Sequence, residues 1–153
     1  MLRIFRTFNN VLLDEFIEIL DRLLRETRAS HQRLASELVA GLISGSKFWK
    51  FEKREKLLNL LIPKLEQFLL EIPLESEKYW GLCFATIGIC CEPKQVCWLI
   101  ELFFQLITIP TEISSQLQKF YFFCRLYLLQ SLLYQFKWRV PVEWKRLANF
   151  VID

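Results

Sequence analysis

The sequence predicts an all-α chain, an α-solenoid of stacked antiparallel helix pairs with about seven helices, on three grounds. Hydrophobic residues make up 53% of the 153 positions, ample material for one sizeable core. Only four Gly and five Pro interrupt the chain, and no long run alternates β-branched with polar residues as a half-buried strand does. Apolar residues instead recur at three- and four-residue steps in one segment after another.

In the first helix, Leu12, Leu13, Phe16, Ile17, Leu20, Leu23 and Leu24 form the apolar face, opposite Asp14, Glu15, Glu18, Asp21, Arg22 and Arg25. Glu18 with Arg22 and Asp21 with Arg25 stand at i,i+4 in the acid-first order that supports a solvated helix face. Ser30 is the expected N-cap of a second helix, in which Leu34, Leu38 and Leu42 run beside Ala35, Val39 and Ile43 until Gly41 and Gly45 weaken it. A third begins near Phe51. Its stripe of Leu57, Leu61, Leu65, Phe68 and Ile72 keeps phase through Pro63, so the proline bends the helix without ending it, and Pro73 marks the stop. The fourth is expected from about Ser76 to Cys91, the fifth from Pro93 to about Ile107, the sixth from about Ser115 to Gln135, and the seventh from Pro141.

One solenoid segment, 1–153, therefore divides into helix pairs at about 10–44, 51–91 and 93–135 with a terminal helix at about 141–151. Equivalent helices begin about 40 to 48 residues apart, the period of HEAT and armadillo repeats. Most charged residues fall before residue 79, and the region 79–134 is apolar on nearly every side. Such helices are normally enclosed by neighbours, so this region is expected to sit between flanking repeats or against further protein.

The residue inventory argues against catalysis. His31 is the only histidine, which removes Ser-His-Asp triads, HExxH zinc sites and multi-histidine metal centres. Following a helix N-cap, it reads as a surface residue. Cys83, Cys90, Cys91 and Cys97 are close in sequence but lack CxxC spacing, and read as buried thiols acting as small hydrophobes. The glycines form no phosphate-binding loop. Lys47-Phe48-Trp49-Lys50-Phe51-Glu52-Lys53-Arg54-Glu55-Lys56 interleaves bases and aromatics as some nucleic-acid surfaces do, but Glu52 and Glu55 favour a loop whose aromatics dock on the core. No catalytic, cofactor or metal site is assigned, and no specific nucleic acid is expected at a net charge of +3.

Glu101 and Arg125 are the only charges deep within the fifth and sixth helices. In an antiparallel pair, residues equally far from the turn come opposite one another, so the two are expected to form a structural ion pair across the connection at about 108–114. The odd number of cysteines and the absence of an apolar signal core after Met1 point to a reducing cytosolic or nuclear compartment. The apolar runs are shorter than the roughly 20 residues of a membrane span.

The run Arg33-Leu34-Ala35-Ser36-Glu37-Leu38-Val39-Ala40-Gly41-Leu42-Ile43-Ser44-Gly45-Ser46-Lys47-Phe48-Trp49 resembles the HEAT-repeat proteasome activator family. So do Trp98-Leu99-Ile100-Glu101-Leu102, Arg125-Leu126-Tyr127-Leu128-Leu129-Gln130 and Trp138-Arg139-Val140-Pro141. The resemblance implies a giant nuclear and cytosolic solenoid that caps the proteasome core particle, favours gate opening and peptide hydrolysis, and promotes ubiquitin-independent degradation. It also implies links to acetylated-histone degradation, DNA repair and spermatogenesis. On this reading the chain is a non-enzymatic scaffold segment, a truncated paralogue or fragment without gate-opening activity of its own. The alternative is a small amphipathic-helical protein that uses 79–134 to bind a membrane or a partner.

Overall fold

The computed structural model describes Phe5, residues 12–108 and residues 115–152, with side chains to Phe150. The expected start of the first helix near residue 10 and most of the 108–114 connection lie outside the described residues. Seven α-helices and no strand occur among those described: α1 (Leu13–Leu24), α2 (Ala29–Ser46), α3 (Phe51–Leu70), α4 (Glu77–Cys90), α5 (Cys97–Thr108), α6 (Gln116–Phe136) and α7 (Pro141–Ile152). Alternate helices are neighbours. α1, α3 and α5 form one layer, α2, α4 and α6 the other, α1 packs on α2, and α5 packs on α6. This two-layer stack of helix pairs is the architecture of an α-solenoid.

Pro63 lies inside α3, which continues from Phe51 to Leu70. Ser115 caps α6 as expected: its hydroxyl accepts from the Gln118 amide while the Gln118 side chain accepts from the Ser115 amide. Two boundaries differ from the sequence reading. α2 begins at Ala29 with Arg28 in the N-cap position, so Ser30 lies within its first turn. The fifth element is split: Pro93–Gln95 forms a 3₁₀ turn, and the α-helix starts only at Cys97. Pro93 supplies the fixed φ for that turn, and Glu92 and Gln95 cap it reciprocally.

α2 is the most enclosed helix, with twelve of its eighteen residues buried. Among them are the small residues Ala35, Ser36, Ala40, Gly41, Ser44, Gly45 and Ser46, and at Gly45 an added Cβ would stand 2.6 Å from Phe5 Cβ. The α4–α6 contact uses the same device. A Cβ on Gly88 would stand 2.8 Å from the Leu132 carbonyl oxygen and 2.7 Å from Gln135 Cβ, and one on Gly81 would meet the Tyr127 ring at 2.8 Å. At Gly88 the obstacle is backbone, which has little freedom to move. Gly88→Ala is therefore expected to destabilise the chain by about 1–3 kcal/mol despite the better helix propensity of Ala. A urea midpoint equal to or above that of the parent chain would refute this contact.

An aromatic ladder ties the layers together. Phe68 of α3 lies 4.4 Å from Trp80 of α4, Trp80 lies 6.1 Å from Phe84, and Phe84 meets Phe103 of α5 edge-on at 5.0 Å. Trp80, Phe84 and Phe103 are fully buried.

Candidate functional site: polar clamps between repeats

The polar groups buried in this stack are few, and each important one spans elements. Gln32, at the start of α2, is fully buried. Its amide nitrogen donates to the Leu23 and Glu26 carbonyls at the end of α1, and its amide oxygen accepts from Trp80 Nε1 at 2.9 Å. One side chain thus bonds two carbonyls at and just after the end of one helix and the indole N–H of another, joining α1, α2 and α4.

The turn after α4 is held from both sides. Lys47 donates to the Cys90 carbonyl, Arg54 to the Gln95 carbonyl at 2.6 Å, and Arg139 pairs with Glu92 at 2.7 Å. Basic residues of the preceding and following segments therefore fix a turn whose own carbonyls lack helical partners. Trp49 Nε1 bonds the Phe5 carbonyl at 2.7 Å, and Trp144 Nε1 bonds the Lys137 carbonyl at 2.9 Å, so tryptophans serve the same purpose near both ends.

The expected Glu101–Arg125 ion pair does not form. Glu101 points toward α7 and takes both oxygens to Arg146, at 2.6 and 3.2 Å, and Arg146 also lies 3.8 Å over the Phe104 ring. The Arg146 hydrogen bond holds the Glu101 carboxyl below its usual range, opposed by a smaller effect of burial. Both partners are substantially exposed, so the pair contributes little stability. Arg125 is instead 4% exposed, and its Nη1 donates at 3.3 Å to each of the Leu69 and Leu70 carbonyls at the end of α3. Burial depresses its pKa, and its Nε has no hydrogen-bond partner. What stabilises the cation is the negative end of α3.

Cys83, Cys91 and Cys124 are buried and Cys90 half-buried, whereas Cys97 is exposed, contrary to the expectation of a wholly buried set. Burial pushes the Cys83 and Cys91 thiols up, and burial together with Glu77 pushes Cys124 up to about 12, where it stays protonated and donates to the Glu77 carboxylate at 3.4 Å. Thiols so shifted are poor nucleophiles at neutral pH. Among the described residues no group of three His, Cys, Asp or Glu is placed to hold a metal ion. His31 Nδ1 stands 3.6 Å from Glu26 on the half-exposed flank of α2.

The basic-aromatic run also departs from its expected packing: Phe51 is 77% and Phe48 51% exposed, and only Trp49 is drawn in. Its cations are nonetheless largely used internally, Lys47 and Arg54 on the α4–α5 turn and Lys56 on Asp14. No described helix is long and apolar enough to cross a membrane.

Stacked helix pairs joined by buried polar clamps define a HEAT-like repeat fold. The model of the family described as proteasome activator complex subunit 4-like, HEAT repeat-like, matches residues 1–131, and this chain belongs to that family. It is 40% identical over 148 residues to proteasome activator complex subunit 4 of Bos taurus, covering 97% of this chain and 8% of that protein. The Homo sapiens protein is 39% identical and Danio rerio proteasome activator complex subunit 4A 35% identical over the same length. The chain thus spans about 8% of the length of the curated relatives it matches.

Proposed function

We infer that this chain is a non-enzymatic scaffold segment that takes part in engaging the proteasome core particle and in ubiquitin-independent degradation, without opening the gate by itself. The observation that carries the reading is the family match along nearly the whole chain, on a fold in which buried Gln32 and Arg125 join helices of different pairs. The seven helices of the described residues add a stretch of wall to a large solenoid. The free thiols support residence in the reducing cytosol and nucleus.

The test uses the purified chain and purified core particles. The chain is expected to bind them in a pull-down and to leave fluorogenic peptide hydrolysis unchanged. Failure to bind at tens of micromolar would overturn the engagement reading; stimulation equal to that of a full-length activator would overturn the absence of gate opening.

A further inference from the structure

We propose that one edge of the stack, formed by the turns α2–α3, α4–α5 and α6–α7, binds an acidic segment of polypeptide in extended form. The three turns adjoin in space. Lys47 and Arg54 reach the Cys90 and Gln95 carbonyls beside the middle turn, and Glu92 of that turn pairs with Arg139 of the third. Neighbouring helices pack about 8–10 Å apart, so the row of turns is about 20 Å long, the reach of about six residues of extended chain.

Charge is divided between the two edges of the stack. The residues between helices on this edge, 47–50, 91–96 and 137–140, include Lys47, Lys50, Lys94, Lys137 and Arg139 against Glu92 alone. On the opposite edge the described turns, 25–28 and 71–76, hold Arg25 and Arg28 against Glu26, Glu71 and Glu75. Lys50, Lys94 and Lys137 are exposed, and Lys47 bonds a carbonyl, a neutral partner that leaves its charge in place. Aromatic side chains stand in water along the same row, Phe48 at 51%, Phe51 at 77% and Trp138 at 83%. Both ends of the row therefore offer a cation beside an apolar ring.

Charge complementarity selects an acidic partner, and the carboxylates left on this edge select its class. Glu52 and Glu55, at the start of α3, and Glu92, in the middle turn, are exposed among the cations. A nucleic-acid backbone or an anionic membrane presents negative charge without a break, so it meets these carboxylates with repulsion. A polypeptide can set an acidic residue opposite each lysine, a neutral one opposite each glutamate, and its apolar side chains against Phe51 and Trp138. Exposed ion pairs are individually weak and screened by salt, so the complex is expected to be modest in strength and sensitive to ionic strength.

Fluorescence anisotropy of a labelled peptide of four Glu-Glu-Phe repeats, titrated with the full chain, tests this. The peptide is expected to bind with a Kd below about 100 μM and to weaken about tenfold as salt rises from about 0.05 to about 0.3 M. Lys50→Glu with Lys94→Glu and Lys137→Glu is expected to weaken binding at least about tenfold and to keep the parent's circular-dichroism spectrum, since all three side chains lie in water. Arg22→Glu with Lys78→Glu and Lys119→Glu makes the same change of net charge at the opposite edge and is expected to bind as the parent does. Trp138→Ala, which alters no charge, is expected to weaken binding about threefold and to leave its salt dependence as it is. No binding at about 100 μM chain, or equal losses in the two triple variants, would overturn the proposal. So would tighter binding of single-stranded DNA of about twenty nucleotides, or of phosphatidylserine-containing vesicles, because either result makes the partner a different class of molecule.

Discussion

Replacing Trp80 with Ala is expected to cost about 3–5 kcal/mol, a large share of the 5–15 kcal/mol by which a domain of this size is stable. Three losses coincide at that position. The ring has no exposed surface and touches Phe68 at 4.4 Å and Phe84 at 6.1 Å, so truncation leaves a cavity in the middle of the ladder. The indole N–H no longer reaches Gln32 Oε1, and the fully buried amide oxygen loses its hydrogen-bond donor. Gln32 also loses the bond that orients it toward the carbonyls closing α1. Trp80→Phe with Gln32→Leu separates packing from hydrogen bonding. Each single variant orphans one buried group at about 1–3 kcal/mol, whereas the double variant removes both partners, so the two are expected to be non-additive by about 1 kcal/mol. Strict additivity in urea unfolding would remove the clamp from the account.

The helices were legible in the sequence because periodicity and caps are local properties. The stripe through Pro63, the Ser115 cap and the stop at Pro73 are each readable within one turn of the residues concerned, and the structure keeps all three. The clamps were not, because they depend on which face of a helix meets which neighbour. A lone Gln at the start of α2 gives no periodic signal. The available hint was that α1 lacks a Gly to close its C-terminus, leaving carbonyls that some nearby side chain had to satisfy. Phe51 is the first residue of α3, six residues ahead of Leu57, and is 77% exposed, so aromatic character alone is a poor guide to burial at a helix end.

The partner of Glu101 shows why equal distance from a turn is not sufficient evidence of contact. α5 and α6 are packed neighbours, but in a two-layer stack each helix has neighbours on several sides. Glu101 faces α7 and Arg125 faces the end of α3, so two residues at matching heights look in different directions. The apolar middle was legible as a composition and only half explained by enclosure. Leu99, Phe103, Leu128 and Leu132 are buried by neighbouring repeats, while Leu82, Ile89 and Tyr134 remain exposed.

Arg125→Ala is expected to cost about 2–4 kcal/mol without disturbing Glu101. The loss combines two charge-assisted hydrogen bonds to the last carbonyls of α3 with the volume of a side chain that is 4% exposed. Among the described residues no carboxylate pairs with the buried cation to offset its desolvation, so Arg125→Met, which keeps much of the stem volume and removes the charge, is expected to recover more than half of the loss. Glu101 supplies the control. Its folded-state pKa is depressed by Arg146, so the stability it contributes is present above its unfolded pKa and is lost as the pH falls through the folded value. Titration of Glu101 followed by NMR should move upward in Arg146→Ala and stay where it is in Arg125→Ala. An upward shift in Arg125→Ala, or a urea midpoint for that variant equal to the parent's, would show that Arg125 is not the cap of α3 described by its two carbonyl contacts.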